Sequence, residues 1–202
     1  MTLFFFLKGL ILGFSIAAPV GPIGILCIRR TLAYGMSFGF ISGIGTATAD
    51  AIYGAIAAFG LTAATRFLLD YQFYLKIVGG FYLLYLGVKI FMSQPSVSPT
   101  QVSGTSLTSA YISAFLLTLT NPMTIIMFIA IFTGFGIGGI NGNYLLSSSM
   151  VLGVFLGSLL WWLLLSGITT IIRSTFDYRK LRFANIGSGL IIAGFGVVTL
   201  LN

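Results

Sequence analysis

The sequence predicts an all-α polytopic membrane protein: six transmembrane helices in two inverted three-helix repeats, with the first helix of each repeat broken. Three observations lead there. Of the 202 residues, 57% are hydrophobic and only 6% charged, with a mean hydropathy of +1.08, whereas soluble domains carry roughly 25% charged residues. Apolar runs of about 20 residues, the length that crosses a bilayer as a helix, recur along the chain. Of the five prolines, two lie in the one long linker and the other three interrupt the first helix of each half. A single transmembrane domain, residues 1–202, follows, with repeat one over about 1–92, a linker over about 93–106 and repeat two over about 107–202.

The first span runs from Leu3 to Ile28 and is closed by Arg29 and Arg30. Lys8, an apolar run and Ser15-Ile16-Ala17-Ala18 faintly imitate a secretory signal, but apolar sequence continues past the imagined cut, so an uncleaved span is expected. The second span runs from about Tyr34 to Leu61 and holds Asp50. An amphipathic connection, Thr62 to Gln72, is expected at the interface. The third span, Phe73 to Met92, has Lys76 and Lys89 near its ends, where long stems can snorkel to the headgroups. Ser93 to Gly104, polar, uncharged and proline-bearing, reads as a flexible linker. The fourth span, about Ser109 to Thr133, is interrupted at Asn121-Pro122 and followed by a glycine-rich turn, Gly134 to Asn143. The fifth is Tyr144 to Ile172, then a basic loop from Arg173 to Arg182, and the sixth Phe183 to Leu201.

The halves look alike. Gly21-Pro22-Ile23 takes the place in the first half that Asn121-Pro122-Met123 takes in the second, and each second helix is long and glycine-bearing. An odd number of spans per half forces the halves into opposite orientations. Helix breaks at corresponding positions of an inverted repeat are the best sequence pointer to a transporter site. Seven of the ten basic residues flank the odd-numbered loops, so the positive-inside rule places those loops in the cytoplasm and both termini outside. The stripe Gly35-xxx-Gly39-xxx-Gly43 is open to helix contacts within one chain or between two copies in a homodimer.

The candidate site begins at Ala17-Ala18-Pro19-Val20-Gly21-Pro22-Ile23-Gly24. Each proline removes a backbone N–H and clashes with the preceding turn, so a continuous helix is not expected. Irregular backbone at membrane depth is tolerated where it is buried in protein or lines a wet cavity. Pro19, Gly21, Pro22 and Gly24 are therefore read as a site wall. A half-helix starting there aims free N–H groups and a positive dipole end inward, suited to a carboxylate. The bland alternative is close helix packing or a kink. Asp50, the one acid within a span, should face an interior or a cavity, since an aspartate at mid-helix costs roughly 2.5–3.5 kcal/mol. With Thr46 one turn before it and Tyr53 one turn after, it presents a polar face. It reads as a proton-coupling or cation-binding carboxylate, or else as an acid satisfied by the backbone of the broken helix. Asn121, beside Pro122, can cap freed backbone or bond a ligand. Trp161 and Trp162 fall mid-span; Trp161 is taken into the candidate site, with packing between helices as the alternative.

With no histidine and one cysteine, Cys27, neither a disulfide, a CxxC pair nor a His/Cys metal cluster is available, and Cys27 reads as a small apolar residue. No cofactor is expected. The same poverty argues against efflux of soft metals, and a lone intramembrane carboxylate is thin for a hard cation. Hydrolysis lacks a base partner, so an enzyme is not expected. A non-transporting membrane subunit would not need matched helix breaks and a buried acid.

The Gly21-Pro22 break followed by arginine, the glycine-rich second helix with Asp50, Asn121-Pro122 in the fourth span and the closing glycine-rich helices resemble the LysE family of amino-acid exporters, over Leu7 to Leu200. The resemblance implies export of amino acids or related small zwitterionic metabolites across a bacterial inner membrane, driven by protons. Efflux of another small solute or cation is the alternative. Many members place a lysine after the Asn-Pro; this chain has Met123, so no role carries over from that lysine.

Overall fold

The computed structural model describes residues 1–19, 21–59, 70–92, 106–121, 124, 127–128, 143–173 and 178–201. These form seven helices and no strand: α1 (Thr2–Ala17), α2 (Pro22–Tyr34), α3 (Met36–Ala58), α4 (Gln72–Met92), α5 (Leu107–Leu119), α6 (Tyr144–Arg173) and α7 (Tyr178–Leu201). α3, α6 and the Arg182–Leu201 part of α7 are each long and apolar enough to cross a membrane; α1 and α2 reach that length only as a pair bent by 79°, the shape of a broken span or of a re-entrant loop. α4, with 21 residues, reaches roughly 30 Å at 1.5 Å per residue. The linker, the glycine-rich turn and most of the 62–72 connection lie outside the described residues, as do Pro122 and Met123.

The breaks follow local chemistry. α1 stops at Ala17: Ala18 still has helical dihedrals (φ −63°, ψ −36°) and its N–H closes the last turn on the Phe14 carbonyl, 3.0 Å, but Pro19 has no N–H with which to carry the ladder on. α2 restarts with extended Gly21 as its cap and Pro22 in the first turn, the position where a missing N–H costs nothing. Gly35 alone joins α2 to α3 at φ 98°, a conformation that favours glycine. α5 and α6 are capped by side chains: Ser106 Oγ accepts from Ser109 N–H at 3.0 Å and Asn143 Oδ1 from Leu146 N–H at 3.2 Å, each satisfying a first-turn donor.

Two boundaries differ from expectation. The helix does not end at Arg29 and Arg30, because α2 continues through them to Tyr34. The basic loop between the fifth and sixth spans is shorter than expected: Arg179, Lys180 and Arg182 belong to the first turns of α7.

Glycines set the helix crossings by admitting backbone to backbone, as in other membrane bundles. α1 and α6 run side by side in the same direction: Gly9 meets the Met150 backbone and Gly157 the backbone of Leu10 and Phe14. α3 and α5 also run parallel, with Gly45 on the backbone of Tyr111 and Phe115 and the Tyr53 hydroxyl donating to the Leu119 carbonyl at 2.6 Å. α3 and α6 are antiparallel, Gly43 facing Trp162 and Gly54 facing Val154, and so are α4 and α7, Gly80 meeting Gly196 and Gly87 meeting Gly189. Gly39 and Gly43 are thus used within the chain, against Thr31 and Trp162.

Two apolar cores result. One joins Leu12, Ile16, Tyr53, Phe128, Met150 and Val154; the other joins Ile23, Leu26, Cys27, Leu83, Leu117, Trp162 and Ile192. Large apolar side chains cover the outside as well: Phe4, Phe81, Ile168, Phe183 and Leu190 are all exposed. Water would penalise such a surface and lipid does not.

Candidate functional site

The two half-helices and the end of α5 leave a cavity of about 440 Å³, within the roughly 300–1,000 Å³ usual for small-molecule sites. Its wall brings together Pro19, Gly21, Pro22 and Gly24 from the break, Thr46 and Asp50 from α3, and Asn121 from the end of α5. Those positions, a hundred residues apart in the chain, meet in one place. Lys76 and Leu83 of α4, Thr118, Thr124, Trp162 and Phe195 also line it. Tyr53 does not: one turn beyond Asp50, its ring reaches across to the end of α5 and its hydroxyl is spent on Leu119. Pro122 is outside the described residues.

Asp50 is 2% exposed. Ser158 of α6 donates its hydroxyl to Asp50 Oδ2 at 2.6 Å, and the indole N–H of Trp162 donates to Ser158 Oγ at 3.1 Å. A short relay therefore fixes one carboxylate oxygen from α6, and the carboxylate itself faces the cavity. Thr46 and Thr118 turn their hydroxyl protons back onto the Ser42 and Ala114 carbonyls, at 3.3 and 2.8 Å. That back-bonding leaves each oxygen as an acceptor. The first-turn N–H groups of α2 have no acceptor within their own helix, and Gly21, with no side chain, leaves the approach to them open.

The tryptophan of the cavity is Trp162, and Trp161 stands elsewhere. One residue is about 100° around a helix, enough to turn Trp161 onto α1, where it meets Phe14 edge to face at 5.5 Å. Ser158 carried a faint signal, since it sits one turn before Trp162 on the same face. Lys76 carried the opposite signal, because a lysine near a span end is expected to snorkel outward.

At the other end of the bundle Arg30, 8% exposed, is held by Ser42 Oγ at 2.7 Å, the Ala110 carbonyl at 3.0 Å and Ser113 Oγ at 2.7 Å. Arg173 donates to the Leu32 carbonyl at 2.9 Å, and Arg182 to that of Phe91 at 3.3 Å. These bonds tie the end of α2 to the starts of α3 and α5 and to the end of α6, and the end of α4 to the start of α7.

A family model described as LysE type translocator matches residues 14–202. The chain is 28% identical to the "Putative amino acid efflux protein YcgF" of Bacillus subtilis over 94% of this chain and 93% of that one. It is 27% identical to the "Uncharacterized membrane protein YrhP" of the same organism, over 87% and 88%. It is also 27% identical to the "Leucine efflux protein" of Salmonella typhimurium, over 60% and 58%. No solved structure matches the chain.

Proposed function

We propose that this chain, which belongs to the LysE family of translocators, exports amino acids or related small zwitterionic metabolites across the inner membrane by proton antiport. The observation that carries this reading is Asp50, a buried carboxylate facing a cavity built at a helix break. The free N–H groups of α2 suit a substrate carboxylate. Asp50 suits either the substrate ammonium or the proton exchanged for it, so binding one displaces the other. That competition is the minimum an antiporter needs. Lys76, Thr124 and the end of α7 line the cavity at the end of the bundle away from the arginine ties.

Matched contacts support two inverted repeats of three spans. α4 and α7, the third helices of the two halves, cross antiparallel and glycine to glycine. Gly45 of α3 rests on the carbonyl of Tyr111 and the N–H of Phe115; Gly157 of α6 rests on the carbonyl of Leu10 and the N–H of Phe14. The two second helices thus use the same contact on the two first helices. Overlaying those glycines pairs Thr46 with Ser158 and Asp50 with Trp162. The arginine-rich end is assigned to the cytoplasm by the positive-inside rule, with both termini outside.

The test is a panel of labelled amino acids preloaded into cells as dipeptides, with and without the protein. Faster efflux of at least one amino acid, abolished by a protonophore, is expected. Equal efflux of every amino acid in both strains would overturn the reading.

A further inference from the structure

We propose that Lys76 is the specificity residue of the cavity: its ammonium binds the substrate carboxylate beside the α2 N–H groups and turns away substrates bearing a second cation. The inference rests on the export reading above and narrows it to neutral amino acids with apolar side chains.

Lys76 lies one turn into α4, the position from which a lysine ordinarily reaches the headgroups. Here it lines the cavity with Asp50. A turn further on, Gly79 lies against the Thr120 carbonyl, so α4 meets the end of α5 just inward of Lys76, and Asn121, the next residue of that end, lines the same cavity. Ionisable residues within spans are functional by default because lipid does not tolerate them. Among the described residues no carboxylate pairs with Lys76.

The charges of the wall then balance. Asp50 and Lys76 are its one described acid and one described base, and a zwitterion supplies the complement of each. Glycine-like ligands would leave much of the space unfilled, whereas Ile16, Ile23, Leu83, Phe195 and Val198 offer an apolar surface to a branched or aromatic side chain. A lysine- or arginine-like substrate would bring a second cation into a wall whose single acid already holds the first, next to a fixed ammonium. Repulsion of that kind is how a site rejects a near relative of its ligand. An acidic amino acid would satisfy Lys76 but leave a second carboxylate among apolar groups.

The experiment measures export by reconstituted full-length protein in proteoliposomes, with leucine, lysine, glutamate and leucinamide, for the unmodified chain, K76Q and K76R. The unmodified protein is expected to export leucine and neither lysine nor glutamate, with leucinamide a poor competitor. K76Q should raise the KM for leucine about tenfold or more, the usual cost of one charge-assisted hydrogen bond. It should also lose its preference for leucine over leucinamide, and K76R should restore both. Export of lysine as fast as leucine by the unmodified protein would overturn the inference while leaving the export reading intact. So would a K76Q protein with unchanged KM and unchanged discrimination against leucinamide. No export of any amino acid would overturn the export reading itself, and the inference with it.

Discussion

Asp50 and Arg30 are both buried charges in the same bundle, yet they are treated in opposite ways. Arg30 is enclosed by two hydroxyls and a carbonyl that take up its N–H groups and join three helices. Asp50 has one described donor, Ser158, and otherwise faces a cavity. A buried charge whose partners are all supplied by the fold is part of the scaffold. A buried charge with a side left open is the expensive feature, and the proposed exchange of proton and substrate at that side would account for it. The contrast extends to the two ends of the molecule. The arginine-rich end is stitched by side chains onto main-chain carbonyls, and the cavity occupies the middle and the opposite end.

Substitutions can break that comparison at either pole. The largest effect on folding is expected for Arg30→Leu. Three charge-assisted hydrogen bonds are lost, only partly offset by apolar burial, so the loss should be about 3 kcal/mol. It should read as a lowered unfolding midpoint in detergent, with export falling only as folded protein falls. Ser158→Ala acts at the other pole. It removes the donor that fixes the Asp50 carboxylate, so export per folded molecule should fall about tenfold, with the unfolding midpoint nearly unchanged. The smallest effects separate the two tryptophans. Trp162→Phe keeps the bulk but loses the N–H that orients Ser158, and should slow export a few-fold, measured as initial rate. Trp161→Phe keeps the edge-to-face contact with Phe14 in kind and should change the rate less than Trp162→Phe does. Equal effects of the two would place the cavity on the wrong face of α6.

Much of this was legible in the chain because it depends on backbone chemistry. Pro19 and Pro22 remove the N–H that continues a helix whatever surrounds them, and Asp50 at mid-span must be sheltered from lipid, so both could be read without a structure. What sequence could not supply was rotation about a helix axis. Trp161 and Trp162 are adjacent in the chain and indistinguishable in type; only the packing of α6 on both α1 and α3 assigns one to Phe14 and the other to the cavity. Tyr53 lies one turn beyond Asp50 on α3, but its long ring carries the hydroxyl past the cavity to Leu119. Arg30 read as a flank of a loop because positive charge at a span end ordinarily is one; its burial follows from Ser42, Ala110 and Ser113 arriving from two other helices. Lys76 was missed for a related reason, since snorkelling and lining a cavity require the same stem.

In the proposed mechanism the open side of Asp50 couples protons to substrate. The most direct test is pH-gradient-driven transport of the exported amino acid in proteoliposomes, comparing the unmodified chain with Asp50→Asn at matched amounts of folded protein. Accumulation driven by the gradient and abolished by a protonophore is expected for the unmodified chain, and no gradient-driven accumulation for the variant. Transport by Asp50→Asn at the same rate and with the same dependence on the gradient would contradict it.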